Sequence, residues 1–375
     1  MEYVINLFSH PYILGSFALV TAFWLSVMMY PAIIHLVRSK NIMDEPGSRS
    51  SHLEKIPTLG GVGLFIAFSI SIMIIGGISG LIKPEFGNLL VLLAAITILF
   101  FLGVKDDLIG LSPKKKLIGQ IIAAILVVLL SDIRIHSFGG LFGIEELPYI
   151  TSILLSTIVF IFIVNAFNLI DGIDGLAGSI AIIASATFAI FFFMNEQYFL
   201  LLISLILIGA TIGFLRFNLS KINKLFMGDS GSLFIGFLLA YQAMGFLAHQ
   251  QTGASNFEVS NAPILALAIL FFPILDTLRV FIIRILQKRS PFSADRNHIH
   301  HRLLELGFSH KRATLLVVIG NVLIISIAFL INSLDINIQL FILVLAAQLI
   351  GLFPYFMTLK KGRIEINIPY GRLAD

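Results

Sequence analysis

The chain has no cysteine among its 375 residues, which excludes disulfides, thiolate metal ligands and a cysteine nucleophile. It has one tryptophan, and charged residues make up only 12%. So few charges cannot solvate the surface of a soluble domain of this length, and the mean hydropathy of +0.98 points the same way. A basic n-region is missing from the first twelve residues, so no cleavable signal is expected. What is abundant is apolar: 58% of the chain, in runs near 20 residues. Runs of that length cross about 30 Å of hydrocarbon as helix, whereas an outer-membrane barrel needs short alternating strands.

The expected fold class is all-α, a polytopic membrane protein with about eleven transmembrane helices. The expected spans are 13–36, 59–81, 88–104, 117–131, 150–167, 176–194, 198–214, 230–248, 262–284, 314–332 and 338–358. Residues 1–358 read as a single integral-membrane domain and 359–375 as a polar tail. The segments after odd-numbered spans carry 21 of the 25 Lys and Arg, while the opposite face holds only Lys83 and Arg134. The positive-inside rule then places the odd-side loops in the cytoplasm, the N-terminus outside and the C-terminus inside.

The scarce acids fall at span ends. Asp106, Asp107, Asp171, Asp174 and Asp229 all face the cytoplasmic side in this topology. An acid at a membrane edge is costly without a partner, so it marks function by default. Adjacent Asp106 and Asp107 cannot both ionise in an apolar setting without a counter-charge, which a hard cation or Lys114, Lys115 and Lys116 would supply. In NAFNLIDGIDGLAG, residues Asn165, Asn168, Asp171 and Asp174 recur every third position, which predicts a shared helical face. Oxygen donors of this kind suit Mg²⁺ or Mn²⁺.

Other loops add candidate substrate contacts. Asp44 and His52 lie in the first loop, which ends in Gly-Gly-x-Gly. Those glycines fit either an anion-binding helix start or close helix packing. Asp229 heads a helix whose first amides suit a diphosphate, unless it merely caps, and Phe226 suits a stacked base or the core. The longest loop groups Asp295, Arg296, His298, His300 and His301, a set suited to gripping a sugar phosphate, followed by Leu303, Leu304 and Leu306 on a short amphipathic helix. Pro273 predicts a break in the ninth span, and Asp276 and Arg279 are spaced to pair on that helix.

Four motifs in order, DDLIGLSPKKKLIGQ, NAFNLIDGIDGLAG, FMGDSGS and SPFSADRNHIHHRL, resemble those of the polyprenyl-phosphate N-acetylhexosamine-1-phosphate transferases (glycosyltransferase family 4). The resemblance covers roughly residues 40–312, and the DRNHIHH loop is similar to the branch using undecaprenyl phosphate and UDP-GlcNAc. It implies an inner-membrane enzyme that transfers N-acetylhexosamine 1-phosphate from a UDP-sugar to undecaprenyl phosphate and releases UMP, initiating a cell-envelope polysaccharide. It implies Mg²⁺ on Asp229 with Asn168 sharing the ion, catalytic roles for Asp106, Asp107, Asp171 and Asp174, and phosphate contact by Lys116. The histidine loop would bind the nucleotide sugar. The partners it implies are the lipid bilayer, the two substrates and, as a family expectation, a second copy; no nucleic acid is implied. The rival reading is an ion-coupled transporter, whose acids belong near the bilayer midplane at a repeat interface. No internal repeat is visible, and these acids sit at loops.

Overall fold

The computed structural model describes residues 10–40, 42–44, 56–79, 83–251, 256–290, 297–360 and 363–366. The helices in chain order are α1 (Pro11–Ser39), α2 (Gly60–Ser79), α3 (Lys83–Ile109), α4 (Pro113–Leu130), α5 (Tyr149–Ile170), α6 (Leu176–Met194), α7 (Tyr198–Asn218) and α8 (Gly228–Gln251). They continue with α9 (Ala262–Ile269), α10 (Phe271–Leu286), α11 (Ile299–Glu305), α12 (His310–Leu330) and α13 (Ile336–Leu352). Two short antiparallel pairings accompany them: β1 (Met43–Asp44) with β2 (Ile56–Pro57), and β3 (Met357–Lys360) with β4 (Arg363–Ile366).

The all-α membrane fold is as expected. Among the described residues nine helices are long and apolar enough to cross a bilayer, and the bent pair α9–α10 makes a tenth. The remaining expected span, 117–131, is helical as α4, but Lys114, Lys115 and Lys116 fill its first turn. The apolar part of α4 is about 21 Å long at 1.5 Å per residue, yet α4 runs alongside α5 from the Gln120–Asn165 pair to the Arg134–Ser152 bond, so it returns the chain to the far end and lets α3 and α5 finish on one face.

The helix at the centre is α8. Residues 233–235 and 238–241 have no solvent exposure, which a helix tolerates only when it is apolar all round. α2, α3, α5, α6 and α7 pack against it, and α1 lies along α7. The outer helices instead turn Trp24, Met28, Phe341 and Leu349 outward, as side chains facing lipid do. Gly-Gly-x-Gly resolves as packing: a Cβ on Gly61 would lie 2.1 Å from the Gly231 nitrogen, and one on Gly60 2.4 Å from the Phe226 oxygen. The amides of Gly60 and Gly61 donate to the carbonyls of Phe226 and Met227, so neither is left for an anion.

The break in the ninth span falls at Leu270, where the chain turns by 78°. Pro273 explains it: the proline lacks an amide hydrogen, and its ring clashes with the carbonyl four residues back, that of Ile269. Asn321 of α12 satisfies the freed groups. Its Oδ1 accepts the Phe272 amide at 3.1 Å, and its Nδ2 donates to the Ile269 carbonyl at 3.2 Å. Beyond the break α10 is amphipathic. Asp276, Val280 and Arg284 are buried on one face, and Leu278, Ile282 and Ile285 are exposed on the other.

Candidate active site

Three helix ends meet at the acid cluster: the C-terminus of α3, the C-terminus of α5 and the N-terminus of α8. Asp107 accepts the amides of Asp229 (2.7 Å) and Ser230 (3.0 Å), one on each carboxylate oxygen. It therefore caps α8 from another helix, taking the place expected for an anion at that helix start. Gly228 makes this possible: its φ is +70°, and a Cβ there would lie 2.7 Å from the Asp107 carboxylate. Asp229 thus sits within the first turn of α8, where its charge faces the helix dipole favourably.

The Lys116 ammonium bridges Asp229 (2.8 Å) and Asp106 (2.9 Å). Burial pulls its pKa down, but the two carboxylates more than reverse this, so it is raised and the side chain is charged. Asp106 also accepts the Leu111 amide at 2.6 Å, which fixes the turn between α3 and α4. Asn168 donates from its amide nitrogen to Asp229 and to Ser232 Oγ (2.7 Å).

Asp171 follows the end of α5, and no hydrogen bond or ion pair reaches its carboxylate among the described residues. Burial, reinforced by the charges of Asp229, Asp107 and Asp174, pushes its pKa up to about 7. Four carboxylates here face the single ammonium of Lys116.

The expected face of every-third residues does not form. Asn165 makes a reciprocal amide pair with Gln120 (2.8 and 3.2 Å), away from the acids. Asp174 turns to a different group, Lys224 at 2.6 Å and His310 at 3.1 Å. Burial pushes its pKa up, and these two partners outweigh it and hold the carboxyl below the usual range. Phe226 is partly buried under Lys224, 5.5 Å from its ring centre.

The histidine arm stands beside this cluster. His298 precedes α11, and its Nδ1 lies 2.8 Å from Asp276 of α10. His300 is buried, and neither ring nitrogen has a hydrogen-bond partner among the described residues. Burial, with the neighbouring His301, pushes its pKa down to about 3, so it is neutral. A Cβ on Gly172 would lie 2.3 Å from His300 Nε2, which places this histidine against the loop between Asp171 and Asp174. The ring of His301 is 4.3 Å from that of His300. Leu303 and Leu306 are buried, as expected of a docked helix. The side chain of Asp44, His52, Asp295 and Arg296 lie outside the described residues.

Sequence reasoning gave Asp276 only its pairing with Arg279, which is present at 3.0 Å, and missed its bond to His298. The signal was there, a carboxylate inside an apolar span. Lys224, His310 and Gln120 carried no such signal.

No three His, Cys, Asp or Glu side chains are placed to hold a metal among the described residues. The donor set fits a cation in another respect: among the described residues the Asp171 carboxylate lacks a partner, and the cluster's negative charge exceeds what Lys116 balances.

Residues 89–246 match the family model described as Glycosyl transferase family 4. The chain is 33% identical over 290 residues to the decaprenyl-phosphate N-acetylglucosaminephosphotransferase of Mycolicibacterium smegmatis, covering 72% of this chain and 71% of that one. It is 32% identical over 323 residues to a protein of Bacillus subtilis strain 168 named probable undecaprenyl-phosphate N-acetylglucosaminyl 1-phosphate transferase, covering 85% and 86%. It is 27% identical over 301 residues to the undecaprenyl-phosphate alpha-N-acetylglucosaminyl 1-phosphate transferase of Escherichia coli K12, covering 79% and 78%. With three of the four motifs meeting at the acid cluster, the fourth beside it, and relatives of this identity and coverage, the chain belongs to glycosyl transferase family 4, the polyprenyl-phosphate N-acetylhexosamine-1-phosphate transferases.

Proposed function

We propose that this protein transfers N-acetylglucosamine 1-phosphate from UDP-GlcNAc to undecaprenyl phosphate, giving undecaprenyl-diphosphate-GlcNAc and UMP. The observation that carries the reading is the convergence of Asp106, Asp107, Asp229, Lys116 and Asn168 at three helix ends, in a chain whose family relatives are named for this transfer. An oxygen of the lipid phosphate attacks the phosphorus that bears the sugar. The bond from that phosphorus to the bridging oxygen breaks, and UMP leaves with the oxygen.

Phosphoryl transfer of this kind is chiefly positioning and charge neutralisation. Asp229 and Asn168 are the residues to hold a divalent cation, Mg²⁺ or Mn²⁺, with Asn168 presenting its amide oxygen once the amide turns over. A cation held there would supply the charge that the diphosphate being cleaved and the departing UMP need. Lys116 adds a fixed positive charge. Asp107 positions Asp229 through the α8 amides, and Asp106 holds Lys116. The lipid phosphate is already anionic near neutral pH, so its attack needs orientation more than a strong base.

The reading places residues 1–358 in one transferase domain of the inner membrane, with the N-terminus outside and the acid cluster on the cytoplasmic side. There the lipid head reaches the cluster while its tail stays in hydrocarbon. The charge asymmetry of the loops supports this orientation. The test is purified protein with undecaprenyl phosphate and a panel of labelled UDP-sugars. Label from UDP-GlcNAc should enter the lipid phase with stoichiometric UMP, and EDTA should stop it. Transfer of none of the sugars, or undiminished turnover in EDTA, rejects the substrate or the metal assignment respectively.

A further inference from the structure

Asp276 is fully buried, one and a half turns beyond the break between α9 and α10. Every hydrogen bond to its carboxylate comes from a group with a structural consequence. Oδ2 lies 2.8 Å from His298 Nδ1. Oδ1 accepts the amide of Ile299, the first residue of α11, at 3.0 Å. Arg279, one turn along α10, donates to Oδ1 at 3.0 Å and also donates to the Asn297 carbonyl. One carboxylate thus orients an imidazole and caps a helix that carries two more, in the way that an N-cap side chain does from within its own segment.

A carboxylate at Nδ1 keeps a proton on that nitrogen and leaves Nε2 as the ring's other hydrogen-bonding atom. The same contact sets where α11 begins, and the start of α11 decides where His300 falls. His300 lies against Gly172 in the loop that carries Asp171, with both ring nitrogens unpartnered. The far side of the arm is anchored separately. Arg302 donates to the carbonyls of Pro354 (3.3 Å) and Met357 (2.8 Å), and the Tyr355 hydroxyl donates to that of Asn297 (3.0 Å).

We infer that Asp276 is a positioning residue for the sugar nucleotide: it fixes the tautomer of His298 and the start of α11, and so aims the histidine arm at the acid cluster. The assignment of the arm's ligand rests on the function proposed above, and the positioning itself does not. Asp276→Asn keeps the shape and can still cap Ile299, but it presents an amide hydrogen to His298 Nδ1 and so inverts the ring's tautomer. Asp276→Ala removes both contacts.

Two measurements on the full-length protein separate the parts. In steady-state kinetics Asp276→Asn should raise KM for UDP-GlcNAc about tenfold, the size of one hydrogen bond to a charged group. KM for undecaprenyl phosphate should stay within about twofold, since its charge is met elsewhere. A KM for UDP-GlcNAc that does not move, or both KM values rising together, overturns the tautomer role. The second measurement needs no substrate. The chain has no cysteine, so Glu305→Cys on the exposed face of α11 takes a single nitroxide label. Its spectrum should be immobilised with Asp276, should stay so with Asp276→Asn, and should become mobile with Asp276→Ala. Equal mobility with and without the carboxylate overturns the capping role. If the wild-type protein transfers no GlcNAc 1-phosphate, the proposed function fails, and the nitroxide spectrum alone decides the positioning.

Discussion

The acid cluster and the histidine arm lie side by side and are built on opposite principles. Among the described residues, four carboxylates meet one ammonium in the cluster, and no hydrogen bond or ion pair reaches Asp171. In the arm, Asp276 is fully bonded, and among the described residues the neutral nitrogens of His300 lack partners. The first region is short of positive charge; the buried ring of His300 in the second is short of hydrogen bonds. A divalent ion and a diphosphate answer the first deficit, and an uncharged sugar or base answers the second. One substrate that combines both, a nucleotide sugar, spans the two.

The largest expected effect falls on the charged side. Asp229→Asn should lower kcat for UMP release by about a thousandfold or more, as loss of a group that stabilises developing charge does. Turnover near wild type would remove the contrast, because the cluster would then need no charge at that position. Lys116→Gln comes next. It removes the ammonium that bridges Asp106 and Asp229 and should cost about a hundredfold in kcat/KM. An unchanged rate would show that the cluster's counter-charge comes from elsewhere.

Gly172→Ala probes the contact between the two regions. Its methyl group would lie 2.3 Å from His300 Nε2, so the arm must move away from the loop. KM for the nucleotide sugar should rise about tenfold with little change in kcat. A matched fall in kcat would mean that the two regions act as one.

The smallest effect is a difference in stability. Asp171 has a folded pKa of about 7 against an ordinary value of 3.8. Folding therefore favours its protonated form, and the native state loses stability as pH rises from about 4 through 7. Asp171→Asn mimics that form without titrating. In EDTA its unfolding free energy should exceed the wild-type value at pH 8 and approach it at pH 5, with a gap on the order of a few kcal/mol at most. A gap independent of pH would show that Asp171 has a partner and would weaken the case for a cation beside it.

Much of this arrangement was legible in the chain. Acids at the ends of apolar runs gave Asp106, Asp107, Asp171 and Asp229, because an acid in that place needs a reason. Proline chemistry gave the break near residue 270. The every-third spacing of 165–174 misled for a geometric reason: each step of three falls about 60° short of a full turn, so Asn165 and Asp171 diverge by about 120°. The α5 helix also stops at Ile170, which frees Asp174 to reach Lys224 and His310. Asp107 as a cap for α8 was invisible, since it depends on two segments far apart in sequence meeting at a glycine with positive φ. Asp276 was visible as an oddity and was assigned its nearest neighbour on the helix, when its more telling partner lay beyond the next loop.

The glycines at the start of α2 impose an order on biogenesis. Gly61 and Gly103 approach the backbone of Ser230 and Gly231 too closely to admit a Cβ, and the amides of Gly60 and Gly61 find their acceptors only in residues 226–227. A ribosome therefore delivers α2 and α3 to the membrane well before the segment that completes them exists. Until α8 is synthesised and inserted, those first helices lack the backbone they close upon, and the acid cluster lacks Asp229.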